Sequence, residues 1–301
     1  MAAAAVDDPF RHIQRVPEPV LEALAEALDN AHSESERTGR RRKFLTPALD
    51  GLLGGSDGGA VIVDVGCGTG ATVRHIAKLQ GVQQVIGVDP SPYFLGLARK
   101  SAEEEGLENV EFVDGVCTDL PLPDRSVDLV ICMQLLNHVP AKYHPKTLAE
   151  VRRVLKEGGK TLLQDADYAS WCLTQGPTDP LFAPVEVLIS AWSEGRYLCR
   201  QFPKMLEDAG FVPQKLLIQT TVDDCEDSYG FKWILMRAIR LYRAAGCCSE
   251  DMAVALETEA KRRVATKQFQ CVLTYGACVG YKPATRQLVD SWTTEEESQV
   301  S

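Results

Sequence analysis

The segment Val61-Ile62-Val63-Asp64-Val65-Gly66-Cys67-Gly68-Thr69-Gly70 constrains the fold more than any other stretch of the chain. A mostly apolar run enters glycines at 66, 68 and 70, and a helix-forming run follows directly. A buried strand that leaves through glycines lets its backbone approach a ligand where a side chain would clash. The N–H groups of such a loop, and of the helix behind it, also favour an anionic group. A strand–loop–helix unit of this kind needs parallel neighbours, and the sequence supplies them. Residues 60–65, 85–88, 110–113, 127–133 and 160–164 read as short apolar strands, with helices predicted over 72–79, 92–105 and 145–155. Such alternation specifies a parallel sheet covered on both faces.

The flanks depart from a minimal doubly wound domain. Pro17 and Pro19 precede Val20, Leu21, Leu24 and Leu28, whose spacing makes one helical face. A glycine-rich break over 51–59 ends this segment. Beyond the fifth strand the pattern predicts a helix near 202–209, a strand near 215–222, a long helical stretch over 230–267 and a closing strand over 269–281. The expected organisation is a helical cap over 1–58, then an α/β domain over 59–285. Its doubly wound, seven-stranded, mostly parallel sheet carries a helical insert (229–267) before the last strand. A flexible acidic tail over 286–301 follows.

Composition removes several function classes. The formal net charge of -10 argues against phosphate-driven nucleic-acid binding, which needs a basic surplus. Arg37 and the run Arg40 to Lys43 read as the solvated exit of an N-terminal helix. No run approaches the roughly 18 apolar residues of a membrane span, and the first residues lack the pattern of a secretory signal, so a cytoplasmic protein is expected. The ten cysteines include no CxxC pair, and the five histidines form no zinc pattern with them. No metal is expected, and the cysteines read as core or surface thiols.

Two carboxylates narrow the ligand. Asp64 stands two residues before Gly66, where nicotinamide-binding loops carry an apolar residue because a pyrophosphate avoids negative charge. A ligand with a cationic amine tolerates it. Asp89 ends the second strand, where a carboxylate accepts hydrogen bonds from both hydroxyls of a ribose, or else caps the helix behind Pro90 and Ser91.

With these residues in place, the sequence resembles the class I S-adenosylmethionine-dependent methyltransferases. Within them it is similar to the small-molecule C-methyltransferases of ubiquinone and menaquinone biosynthesis (type 11). The resemblance rests on VIVDVGCGTG (61–70), GVDPSPYFLGLARKSA (87–102), DLPLPDRSVDLVICMQLLNHV (119–139) and EVRRVLKEGGK (150–160), and it is looser beyond residue 165. It implies a Rossmann-like fold and S-adenosylmethionine as methyl donor, with S-adenosylhomocysteine as product. It further implies that Gly66, Cys67, Gly68, Thr69 and Gly70 line the methionine and ribose portion, with Asp64 supporting the amino group. Asp89 and Pro90 would hold the ribose side, and Met133 would contact the methionine end through its backbone. Relatives carry an aspartate after the glycine of the third motif; here Val116 follows Gly115. The adenine is then left to backbone and to packing against Val116 and Cys117.

Methyl transfer needs a positioned nucleophile and, where that nucleophile must lose a proton, a base. His138, just beyond the fourth strand, is the first candidate base; the other reading is a structural histidine in the turn before Pro140. Asp165 and Asp167 follow the fifth strand and either orient an acceptor or cap the next segment. Tyr168 and Trp171 line a pocket or belong to the core. Arg196 binds an acceptor carboxylate or makes a structural salt bridge. The insert holds Tyr229, Phe231, Trp233, Met236 and Tyr242, either as a lid with the N-terminal helix or as a packed face. The reading is a small-molecule methyltransferase acting as monomer or homodimer, with no nucleic-acid or membrane partner. A non-catalytic binder of the same cofactor and a nicotinamide oxidoreductase are the alternatives.

Overall fold

The computed structural model describes residues 8–53, 59–191 and 195–284. The first seven residues and the acidic tail expected over 286–301 lie outside the described residues. Eight strands form one sheet: β1 (Ala60–Val65), β2 (Val82–Asp89), β3 (Val110–Asp114), β4 (Val127–Met133), β5 (Leu155–Ala166), β6 (Val212–Pro213), β7 (Leu217–Asp223) and β8 (Cys271–Tyr281). Their order is β3-β2-β1-β4-β5-β8-β6, and β7 also pairs with β8. The pairs among β1 to β5 are parallel, and β8 runs antiparallel to β5, β6 and β7. The two-residue β6 and the longer β7 share the position beyond β8, so the sheet has seven positions across, as the sequence implies.

The apolar strands are buried on both faces, and alternation along each strand divides the core. Ile62, Leu129, Ile131 and Leu162 join the core on one face, while Val63, Val130, Cys132 and Leu163 join the core on the other. Helices α3 (Ala71–Ala77) and α4 (Pro92–Glu104) cover the first face, and α5 (His144–Val154) and α7 (Leu198–Asp208) the second. Helix α6 (Phe182–Ala191), which the sequence pattern does not single out, packs on the first face against α8 (Met236–Ala244).

Three expectations need correction. The stretch over 230–267 is not one helix. A π-helical turn, Gly230–Leu235, runs into α8, and a loop through Gly246 at φ +70° separates this from α9 (Glu250–Ala265). The Ser249 side chain starts α9 by accepting the N–H of Met252 at 3.2 Å. In the N-terminal helix α1 (Glu18–Arg37), Leu21, Leu24 and Ala25 pack with Phe94, whereas Val20 is exposed.

The third correction concerns the arginine run. It forms a further helix, α2 (Arg40–Leu49), and its first two arginines are 4% and 5% exposed. Arg40 meets the Glu34 carboxylate at 2.9 Å, and its guanidinium lies 3.7 Å from the centre of the Tyr275 ring. Its Nε donates to Ser35 Oγ at 3.3 Å, and Nη2 donates to the Ala31 carbonyl at 3.4 Å. The charge enters the interior because α1 and the sheet supply partners for it. Only Arg42 and Lys43 of the run read as solvated.

Removing one partner of a buried ion pair strands the other charge, at about 3–5 kcal/mol. Arg40→Ala is therefore expected to lower the urea unfolding free energy by that amount, against about 0.5 kcal/mol or less for Arg42→Ala. Equal, small losses for both would contradict the packing described for α2.

Candidate functional site

The loop between β1 and α3 hangs from the end of β2. Gly66 and Cys67 donate their N–H groups to the Val88 carbonyl at 2.7 and 3.1 Å, and Gly68 N–H reaches the Asp89 carboxylate at 2.9 Å. The other Asp89 oxygen accepts the Ser91 N–H at 2.9 Å. Ser91 itself caps α4, accepting the Phe94 N–H at 3.3 Å, so Asp89 is not the capping side chain. Gly70, at φ +75°, faces the core: a Cβ there would stand 2.7 Å from the Phe112 ring. Gly68, at φ +51°, lies under α1, with Leu28 Cδ1 3.0 Å from where its Cβ would be.

A cavity of about 320 Å³ opens over this loop at the C-terminal ends of β1, β2 and β4. That end is where ligands bind in open parallel sheets, and the volume is of small-molecule scale. Of the residues singled out from sequence, Gly66, Gly68, Asp89, Pro90, Val116, Cys117 and His138 line it, together with Tyr168, Trp171, Tyr229 and Trp233. Asp64, Cys67, Thr69, Gly70, Met133 and Asp165 do not line it; they lie in its supporting layer. Thr69 Oγ1 donates to Asp29 Oδ1 at 2.9 Å and ties α1 over the loop. Cys67 packs its sulfur on Gly87, and Met133 packs against the core. The next residue, Gln134, takes φ +55° and faces the cavity, and its buried Nε2 has no hydrogen-bond partner among the described residues.

Burial governs the carboxylates. It pushes Asp64 up to about 7; the nearby Arg41 opposes this and Asp89 adds to it. Burial likewise pushes Asp89 up to about 6, against the hydrogen bonds from Ser91 and Gly68. Both acids titrate above their unfolded value of 3.8. The folded state therefore holds more protons than the unfolded one, and stability falls as pH rises through that window. A ligand that donates hydrogen bonds to Asp89 would offset this.

The His138 side of the cavity is closed by the N-terminal segment. His138 Nδ1 lies 2.6 Å from Asp8 Oδ2, and the Phe10 ring sits 4.5 Å from the imidazole, centre to centre. Burial alone lowers the His138 pKa, but the Asp8 charge and hydrogen bond outweigh it and leave a net rise. Asp165, pushed up to about 6 by burial, accepts the Asn137 and Ala166 N–H groups at 3.1 Å each and contacts the Asn137 amide. It shapes the turn that presents His138. Asp167 pairs with Arg200 at 2.7 Å, and Arg196 with Glu186 at 3.5 Å. Tyr168 and Trp171 stack edge-on at 4.7 Å in the wall. Phe231 belongs to the core, with Met236 and Tyr242 packed against it.

Sequence reasoning missed Asp8, Arg40 and Gln134. Asp8 stands 130 residues from its partner; only its place before Pro9, where it accepts the Phe10 N–H at 3.1 Å, gives a local signal of a turn. Among the described residues, no group of three His, Cys, Asp or Glu side chains is placed to hold a metal ion.

A family profile described as "Methyltransferase domain" matches residues 62–159. The uncharacterized methyltransferase YcgJ of Bacillus subtilis is 38% identical over 104 residues, 35% of this chain and 40% of that protein. Human thiol S-methyltransferase TMT1B is 32% identical over 201 residues, 64% of this chain and 74% of that protein. The chain spans 26–40% of the length of the first curated relatives it matches. The crystal structure of YcgJ superposes with a TM-score of 0.51 at 22% identity, covering 75% of this chain and 93% of that one, which is a likeness of fold.

The Asp8–His138 pair yields a titration with a defined sign. The imidazole pKa lies above its unfolded 6.5, so the pair stabilises the fold in full below that pH, and the contribution fades as pH rises through the folded value. On the acid side, burial raises the Asp8 pKa but the imidazole outweighs it, leaving a net fall below 3.8; stability is lost as pH drops through that lowered value. Asp8→Asn is expected to move the NMR titration midpoint of His138 downward, because the Asp8 charge and hydrogen bond that raise it are lost while burial and the Arg237 charge still lower it, leaving the Asp165 charge as the remaining opposing influence. An unchanged midpoint would mean the pair does not form.

Proposed function

The chain belongs to the class I S-adenosylmethionine-dependent methyltransferases, and we propose that it transfers a methyl group from S-adenosylmethionine to a small-molecule acceptor. The observation that carries this reading is the buried Asp89 carboxylate on the cavity wall, fixed by two backbone N–H groups at 2.9 Å beside the glycine loop. Gln134, with its unpartnered Nε2 across the same wall, fits the same ligand. Bound there, S-adenosylmethionine supplies an activated methyl group on a sulfonium sulfur and leaves as S-adenosylhomocysteine.

The protein's part is to bind, align and protect. Asp89 accepts the two ribose hydroxyls, Gly66 and Gly68 let the loop backbone approach, and Pro90, Val116 and Cys117 flank the base. Asp64, Cys67, Thr69, Gly70 and Met133 keep that wall in place from behind. The cap before residue 58 and the insert over 229–267 exclude water above the domain over 59–285. His138 takes the proton of an acceptor hydroxyl, amine or thiol through its second nitrogen. Asp8 is its positioning residue: it fixes the tautomer and stabilises the charged imidazole. Asp165 holds the turn beneath.

The finer parts of the proposal rest on chemistry. The net charge of -10 speaks against a nucleic-acid partner. All ten cysteines are free thiols, as in a reducing compartment such as the cytoplasm. No described helix is long and apolar enough to cross a membrane. Monomer and homodimer both leave the cavity built from one chain.

Each charge-assisted hydrogen bond at Asp89 is worth about 1.5–3 kcal/mol, so Asp89→Ala is expected to weaken S-adenosylmethionine at least about 100-fold in calorimetric titration. In the wild type the affinity should fall as pH drops below about 6, where Asp89 takes up its proton. His138→Ala should leave that affinity intact and lower turnover about 10²–10⁴-fold for an acceptor that must lose a proton. Unchanged cofactor binding in Asp89→Ala would reject the assigned site.

A further inference from the structure

The half of the cavity away from Asp89 carries basic and aromatic side chains. On the walls of the whole cavity the charged side chains among the described residues are Arg11, Arg40, Arg237, His138 and one carboxylate, Asp89. On this reading Asp89 belongs to the cofactor wall, and on the other side Arg11 and His138 share the buried Asp8 carboxylate, at 4.0 and 2.6 Å. Arg40 is committed to Glu34 and Tyr275. Arg237 lies close enough to His138 and Tyr229 for its charge to lower the pKa of each.

Tyr229, Trp233 and Arg237 follow one another at intervals of four residues and all reach the cavity, so one helical face supplies this wall. The Trp233 indole N–H is buried and has no hydrogen-bond partner among the described residues. Trp171, by contrast, donates its indole N–H to the Thr274 carbonyl at 3.0 Å. A buried donor left without an acceptor costs about 1–3 kcal/mol, which a ligand oxygen would recover. Around these donors the wall is aromatic, with Tyr168, Trp171 and Tyr229.

We propose that Trp233 and Arg237 form a carboxylate site and that the acceptor is an aromatic carboxylic acid. One carboxylate oxygen accepts the indole N–H, the guanidinium faces the carboxylate, and the ring lies among Tyr168, Trp171 and Tyr229. Arginine matches the planar carboxylate, and the aromatic wall supplies apolar area with ring-edge contacts. Arg237 and Trp233 also line the adjoining groove of about 690 Å³, whose other charged residues are Glu26, Glu226, Asp227, Lys232, Arg240 and Lys261. The carboxylate thus sits at the junction of the two spaces, with the ring pointing inward toward His138. This inference rests on the methyltransferase reading, since it takes the other half of the cavity as the cofactor's.

The test uses the full chain saturated with S-adenosylhomocysteine, whose own affinity is measured first by calorimetry. Benzoate, 4-hydroxycinnamate and 2-naphthoate are then titrated beside their primary amides and beside phenyl phosphate, with tryptophan fluorescence as readout. At least one acid should bind tenfold or more tightly than its amide. That preference should vanish in Arg237→Gln, shrink in Arg237→Lys and weaken in Trp233→Phe, with S-adenosylhomocysteine affinity unchanged in all three. The proposal is overturned if no acid binds, if amides bind as well as acids, if phenyl phosphate binds more tightly than every acid, or if Arg237→Gln keeps the preference. Failure of S-adenosylhomocysteine to bind the wild type rejects the cofactor reading itself, an outcome read before any acid is added.

Discussion

Everything at the site depends on how the loop after β1 is fastened to the end of β2. Two of its N–H groups converge on the Val88 carbonyl, and the Gly68 N–H is taken by the Asp89 carboxylate. The connection holds the loop open above the sheet, and it pins Asp89 with one edge facing the cavity. A carboxylate so buried is poorly solvated, which is why its pKa is pushed up to about 6. The fold therefore keeps a poorly solvated acid on the cavity wall, and carboxylates perturbed in this way cluster at functional sites.

The N-terminal segment completes the site by sending charges inward. Leu28 lies over Gly68, Asp29 takes the Thr69 hydroxyl, and Asp8 holds His138. Arg40 and Arg41 enter the interior beside Glu34 and Glu36, at 2.9 and 2.6 Å. Arg41 also faces Asp64 across the base of the glycine loop. A buried pair such as Arg40–Glu34 gains little net stability over apolar packing, while Glu36 meets Arg41 from the surface. Here the two pairs fix one arrangement of the cap over the sheet, and with it the position of the imidazole.

The central sheet was legible because its strands are continuous apolar runs between turn signals. The parallel order followed from the helices between them, and the cavity wall from the glycines and Asp89. What was not legible depends on partners distant in sequence. A run of arginines looks solvated until Glu34, Tyr275 and Asp64 are folded against it. The stretch over 230–267 has helical composition throughout, and only Gly246 and the Ser249 cap mark its division. Asp8 has no local pattern that points to His138, and the wall of Tyr229, Trp233 and Arg237 looks like any amphipathic face until the cavity beside it is seen. Within the motif itself, Gly70 is also fixed by packing: a Cβ there would meet the Phe112 ring and Ala98, a contact distant in sequence.

The most direct test of the central claim is transfer of a labelled methyl group from S-adenosylmethionine into a cell extract that is then separated into small-molecule, protein and nucleic-acid fractions. The account expects label in the small-molecule fraction with the wild type and none with Asp89→Ala. Label in the protein or nucleic-acid fraction, or equal labelling by the variant, would contradict it.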